Sequence, residues 1–123
     1  MKLFLIALFG SIGTMARYSL QGIVQQRTGP GFPTGTLVVN ISGCLLLGFL
    51  GQLTLNRMVI SPEMRVAMTV GFFGGYTTFS SFSWETIKMF EDGEWLRGGI
   101  YALASVAIGF VFMFLGIHAA NRV

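Results

Sequence analysis

The densest group of side chains able to bind an ion lies in residues 71–85, GFFGGYTTFSSFSWE. Phe79 and Phe82 are three residues apart, so a helix over this segment would place both rings on one face. Ser80 and Ser83 have the same spacing and would form a neighbouring face. Ring edges carry positive charge and hydroxyl groups donate hydrogen bonds, so the pattern is suited to an anion. The alternative is that the rings only pack.

The residues just before these rings are poor helix formers. Gly74 and Gly75 are followed by Tyr76 and by two β-branched residues, Thr77 and Thr78. A break here within a membrane-spanning helix would free carbonyl groups that could hold a cation. The second half-helix would begin with a partial positive charge that favours an anion, and Thr78 could cap it. The alternative is a continuous glycine-rich helix that packs tightly.

Single polar residues interrupt other apolar stretches. Arg17 either faces a water-filled vestibule, where it would attract anions, or extends to the membrane interface. Asn40 either contacts an ion or makes only an interhelical hydrogen bond. Tyr101 and Ser105 are four residues apart and could continue a polar track along one helix. Glu85 is expected to pair with a buried donor, and Arg17 is the candidate.

The composition indicates an integral membrane protein. Of 123 residues, 53% are hydrophobic and 11% are charged, whereas a soluble domain carries about 25% charged residues. Eight Lys and Arg and five Asp and Glu cannot cover the surface of a soluble globule. This excludes a soluble enzyme and a disordered chain, and the scattered basic residues exclude a nucleic-acid-binding protein. The single cysteine, Cys44, excludes a disulfide framework and a multi-cysteine metal site.

Four stretches have the roughly 20 apolar residues that a membrane-spanning helix needs, and they cover residues 3–25, 35–56, 66–90 and 98–118. Short polar segments connect them. We therefore predict that residues 1–123 form one all-α membrane domain with four transmembrane helices and a break in the third. Regularly spaced small residues in the last stretch predict close helix packing. Residues 1–16 could instead be a signal peptide, but the apolar pattern continues beyond them.

The distribution of basic residues gives almost no preferred orientation. With four spans, one side of the membrane would hold Lys2, Arg57, Arg65 and Arg122, and the other side would hold Arg27, Lys88 and Arg97. Four against three is a negligible bias under the positive-inside rule. We therefore expect insertion in both orientations and an antiparallel, dual-topology homodimer. The alternative is that one boundary residue belongs to the other side.

Three motifs resemble the Fluc (CrcB) family of fluoride channels. Residues 71–85 are similar to the family's third-helix signature, residues 35–43 (GTLVVNISG) to its second-helix motif, and residues 13–18 (GTMARY) to its Gly-x-x-x-Arg pattern. Length and number of spans also agree. The resemblance implies a multi-pass channel of the plasma (inner) membrane that exports fluoride passively through two pores per antiparallel homodimer.

The resemblance also implies roles for individual residues. The fluoride pore would be lined by Asn40, Phe79, Phe82, Tyr101 and Ser105, and we add the hydroxyl face of Ser80 and Ser83. Arg17 would lie in the vestibule. A structural Na⁺ would be held by the carbonyl groups of Gly74 and Thr77. Gly109 stands where some members carry a further hydroxyl, so the far end of the polar track differs.

Two other classes of protein remain open. A small four-span, dual-topology multidrug or cation antiporter would need a carboxylate within its first span, and residues 3–25 contain none. A non-transporting scaffold subunit would account for the glycines but not for the Phe and Ser spacing beside a break. Fluoride is distinguished from chloride by the family resemblance alone.

Overall fold

Helices account for all regular secondary structure in the described part of the chain, residues 1–57 and 60–123 of a computed structural model. The long helices are α1 (Lys2–Thr28), α2 (Thr34–Arg57) and α6 (Trp95–Ala120). Between α2 and α6 lie α3 (Pro62–Val66), a π-helix (Ala67–Phe72), α4 (Phe73–Tyr76) and α5 (Phe79–Glu91). The all-α fold predicted from the sequence is confirmed.

Three of these helices, α1, α2 and α6, are long and apolar enough to cross a membrane. They include the predicted spans 3–25, 35–56 and 98–118 and extend beyond them at both ends. The predicted span 66–90 is divided among the π-helix, α4 and α5, the longest of which has 13 residues. The chain is a multi-pass integral membrane protein.

Glycines allow the helices to approach closely. A Cβ atom at Gly48 of α2 would lie 2.5 Å from the Met113 carbonyl oxygen of α6, and one at Gly75 of α4 would lie 2.5 Å from the Gly10 carbonyl oxygen of α1. Real Cβ atoms do not come so close, so a side chain there would force the helices apart. On α6 the buried residues include Gly98, Gly109, Gly116 and Ala120. The predicted packing through small residues is confirmed.

The helix order gives the molecule two distinct ends. At the terminal end, α1 begins, α2 ends, α3 begins and α6 ends. Hydrogen bonds join these segments, from Asn56 Nδ2 to Asn121 Oδ1 (2.9 Å) and from Arg65 Nη2 to the Thr54 carbonyl (3.0 Å). At the opposite end, here called the loop end, short turns connect α1 to α2 and α5 to α6.

Candidate functional site

The chain leaves helical geometry at Thr77 and Thr78. Thr77 has ψ 161° and Thr78 has φ −149°, both extended. The Thr78 hydroxyl accepts a hydrogen bond from the Ser81 N–H at 3.1 Å and so caps α5, as the sequence predicted. Gly74 and Gly75, which we expected within the break, remain helical. Gly75 packs closely against Gly10 and Thr14 of α1, and this contact outweighs its poor helix propensity.

Asn40 of α2 binds the main chain at the break. Its Nδ2 donates to the Thr78 carbonyl at 3.0 Å, and its Oδ1 accepts from the Thr78 N–H at 2.8 Å. Thr78 is only 8% exposed, so its peptide groups depend on protein partners. Of the two alternatives for Asn40, the interhelical hydrogen bond is present. One N–H of its amide is left over for another acceptor.

A groove of about 420 Å³ opens beside the break. We call it the Phe groove and define it by Asn40 of α2, Phe79 and Phe82 of α5, and Ser105 of α6, all of which line it. The two ring centroids are 5.7 Å apart at an angle of 45°. Phe79 is 81% exposed in the single chain. The structure therefore brings together four of the seven residues predicted to line a pore.

The serines of the predicted site have different positions. Ser105 Oγ is buried and has no hydrogen-bond partner among residues 1–57 and 60–123. Ser80 and Ser83 do not line the Phe groove. Each follows a Phe by one residue, which turns it about 100° around the helix. Ser83 Oγ instead donates to the Phe79 carbonyl at 2.9 Å.

Glu85 lies at the centre of a polar network that joins four helices, α1, α2, α5 and α6. Thr36 Oγ1 donates to Glu85 Oε1 at 2.7 Å, and the Tyr101 hydroxyl donates to Oε2 at 2.6 Å. Gln21 Nε2 donates in turn to Thr36 Oγ1 at 3.0 Å. The Tyr101 ring is fully buried and lies 5.3 Å from the Phe82 ring. The network therefore connects to the Phe groove through two aromatic rings.

The sequence missed Gln21 and Thr36 in this network. Both are polar residues within apolar stretches, which is the signal that identified Asn40.

A larger cavity of about 790 Å³ lies at the loop end, beside this network. Glu85, Gln21, Lys88 and Arg97 are among the residues that line it.

The predicted pairing of Arg17 with Glu85 is wrong. Arg17 Nε donates to the Gly75 carbonyl at 2.9 Å, and Glu85 is bound by hydroxyl groups from α2 and α6 instead. Arg17 is half-buried and lines neither of the two cavities. Arg17 therefore holds α4, the last helical turn before the break, to α1. Asn40 of α2 binds the break itself.

The carbonyl groups of Gly74 and Thr77 lack the donors that a continuous helix would supply. The Thr78 N–H, which would bond to Gly74, donates to Asn40 Oδ1, and the Ser81 N–H, which would bond to Thr77, donates to Thr78 Oγ1. Gly74 is also exposed in the single chain. Oxygen ligands suit hard cations, so both groups fit the predicted use as cation ligands. The described residues contain no cluster of His, Cys, Asp or Glu that could hold a metal ion.

Comparison with known proteins identifies the family. Residues 4–117 match the family described as CrcB-like protein, Camphor Resistance (CrcB). The fluoride-specific ion channel FluC of Geotalea daltonii is 45% identical over 118 residues, which are 96% of this chain and 95% of that protein. The fluoride-specific ion channel FluC of Desulforapulum autotrophicum is 47% identical over 116 residues, which are 94% of this chain and 93% of that protein. The fluoride-specific ion channel FluC of Nitratidesulfovibrio vulgaris is 40% identical over 122 residues, which are 99% of this chain and 98% of that protein. The resemblance inferred from the three motifs is confirmed, and the chain belongs to the CrcB-like protein family.

Proposed function

We propose that this protein is a fluoride-selective ion channel that lets fluoride leave the cell passively across the plasma (inner) membrane. The observation that carries the proposal is the Phe groove, which is lined by two phenylalanines, an asparagine and a serine beside the N-terminus of α5. The names of the relatives support the choice of fluoride. The proposed activity is transport without catalysis.

The Phe groove offers what a strongly hydrated small anion needs. Fluoride must exchange its water for several close donors, and the groove offers the free Asn40 N–H, the Ser105 hydroxyl and the edges of Phe79 and Phe82. Each of these donors is weak and neutral, so the ion is not trapped. Weak binding at successive positions is what conduction requires. Tyr101, Ser80 and Ser83 remain predicted pore-lining residues, with the Tyr101 ring 5.3 Å from the Phe82 ring.

The proposal includes four membrane spans in an antiparallel homodimer with two pores. The third span would consist of the π-helix, α4 and α5 in series, interrupted at Thr77 and Thr78. Backbone outside a helix is tolerated in a membrane only where protein or water covers it. On one side Asn40 covers this break, and on the other the exposed Gly74 is open to a second copy. The near balance of basic residues supports insertion in both orientations.

A structural Na⁺ at the centre of the dimer is the second part of the proposal. The Gly74 and Thr77 carbonyl groups of both copies would hold it, and their lost helical donors support this role. Such an ion would supply positive charge that compensates the carbonyl oxygens across the dimer interface. Arg17 positions the same turn through Gly75, and its predicted place in a vestibule stays a prediction.

The alternative is a dual-topology multidrug or cation antiporter. Such a protein exchanges protons on a membrane carboxylate, and α1 contains no Asp or Glu. Liposomes loaded with fluoride, reconstituted with purified protein and followed with a fluoride electrode separate the two. A channel releases fluoride down its gradient at symmetric pH. Release that requires a proton gradient, or transport of organic cations in place of fluoride, would contradict the proposal.

A further inference from the structure

The two ends of the molecule differ in net charge. At the terminal end, four basic residues stand against one acidic residue, Glu63, and these four are Lys2, Arg57, Arg65 and Arg122. At the loop end, three basic residues stand against three acidic residues, and these six are Arg27, Lys88, Arg97, Glu91, Asp92 and Glu94. The positive-inside count considers only basic residues, so it does not show this difference.

Ion pairing occupies two of the three basic residues at the loop end. Both ion pairs formed within the described ranges are at the loop end, Lys88 with Glu91 at 2.7 Å and Arg97 with Glu94 at 3.3 Å. At the terminal end, Arg57 donates to the Val123 main-chain oxygen and Arg65 to the Thr54 carbonyl. The Thr54 carbonyl is a neutral acceptor, so the charge of Arg65 is positioned but not neutralised. Each guanidinium has five N–H donors, most of which remain free.

The terminal end lies at the depth of lipid headgroups. Helix α6 has 26 residues and is therefore about 39 Å long at 1.5 Å per residue. A bilayer with its headgroups is about 40–45 Å thick. Lys2, Arg57 and Arg122 are exposed at the ends of α1, α2 and α6. Their charges therefore lie where lipid phosphates are concentrated.

We propose that the terminal end is a binding surface for anionic phospholipid. Guanidinium groups bind phosphate through paired hydrogen bonds, and Lys adds a point charge. Arg65 is anchored to Thr54 in the last turn of α2, and Arg57, the last residue of α2, is anchored to Val123, the neighbour of Arg122. The surface is thus assembled by the fold from segments far apart in sequence. It is independent of the fluoride pathway.

The test compares two double variants that each remove two positive charges. Lys2→Gln with Arg122→Gln changes the terminal end, and Arg27→Gln with Lys88→Gln is the matched control at the loop end. Native mass spectrometry of purified protein, titrated with phosphatidylglycerol or phosphatidylcholine, measures the bound lipid. We expect wild type and control to prefer phosphatidylglycerol. In the terminal variant, each charge removed should weaken binding of phosphatidylglycerol about fivefold. This takes ~1 kcal/mol for each basic residue near an anionic surface and ~1.4 kcal/mol for a tenfold change in the binding constant.

Three outcomes would overturn the proposal. One is equal binding of the two lipids by wild type, and another is equal loss in both double variants. The third is that inorganic phosphate alone displaces phosphatidylglycerol at similar concentration, which would indicate a free-anion site. Monodisperse elution of both variants in gel filtration, with fluoride flux still present, shows that the fold is intact. Flux and lipid binding are separate readouts, so failure of one leaves the other interpretable.

Discussion

Replacing Asn40 with Ala tests whether the break is held by one side chain. In wild type the Asn40 amide binds both peptide groups of Thr78, at 3.0 Å and 2.8 Å. Alanine removes both hydrogen bonds and leaves a buried N–H and a buried C=O without a protein partner. Neither group regains a helical bond, because Thr78 lies outside α4 and α5.

The expected loss of stability follows from these two groups. Leaving one buried polar group unpaired costs about 1–3 kcal/mol. Two groups would give about 2–6 kcal/mol. Water entering the open Phe groove can satisfy part of this demand, so we expect the lower half of that range, about 2–4 kcal/mol.

Asn56→Ala is the matched control. Asn56 is on the same helix and its Nδ2 also reaches α6 and the residues beyond it, at 2.9 Å to Asn121 Oδ1 and 3.4 Å to the Ala120 carbonyl. It is exposed, however, so water replaces the lost bonds and the cost should stay below about 1 kcal/mol. Denaturant titration in detergent micelles measures both free energies of unfolding.

Fluoride efflux from liposomes provides the functional readout for the same pair. Asn40→Ala should lose most of its flux, because both the pore N–H and the position of the break are lost. Asn56→Ala should keep wild-type flux. Equal stability of the two variants would refute the inference that Asn40 holds the break. Normal flux through Asn40→Ala would remove Asn40 from the proposed pore.

Three further predictions concern the pore, the dimer and the cation. Replacing Phe79 or Phe82 with Ile removes the positive ring edge and should reduce flux steeply, whereas Met, with a polarizable sulfur, should retain more flux; equal loss with both would refute the ring-edge mechanism. Accessibility labelling of a C-terminal tag in cells should find it on both sides of the membrane, and a tag on one side only would exclude dual topology. A structure of the dimer should contain one central Na⁺ bound by Gly74 and Thr77 carbonyl groups, and flux that persists undiminished after thorough Na⁺ removal would count against this ion.

Local chemistry made much of the structure predictable from sequence. Apolar length located α1, α2 and α6, because a mostly apolar stretch of about 20 residues can span lipid as a helix that pairs its own backbone groups. Thr78 was identified as a cap because a threonine before a helical stretch satisfies the first free N–H groups. Asn40, Phe79, Phe82 and Ser105 were chosen by residue type, and they meet in one groove.

Contacts between distant segments were harder to predict. Gly75 stays helical where α1 packs against it, and propensity does not include such tertiary contacts. Arg17 was assigned to Glu85 by charge, but the uncharged Gly75 carbonyl is its partner because the two residues face each other across α1 and α4. The Glu85 network depends on Thr36 and Tyr101, which lie 49 and 16 residues away in sequence. Residue types identify such candidates, but helix packing decides which of them meet.

One interruption of two residues prepares both proposed ion sites. The Thr78 N–H donates to Asn40 Oδ1 instead of to the Gly74 carbonyl, its partner in a continuous helix. This leaves the Gly74 carbonyl free and fixes the Asn40 amide beside the Phe groove. The Ser81 N–H donates to the Thr78 hydroxyl instead of to the Thr77 carbonyl. This leaves the Thr77 carbonyl free and caps the N-terminus of α5. The same hydrogen bonds therefore leave two carbonyl oxygens available to the proposed cation and begin a helix whose N-terminus favours an anion. A substitution that restores a continuous helix at Thr77 and Thr78 should accordingly remove both sites together, and loss of only one would show that they are built independently.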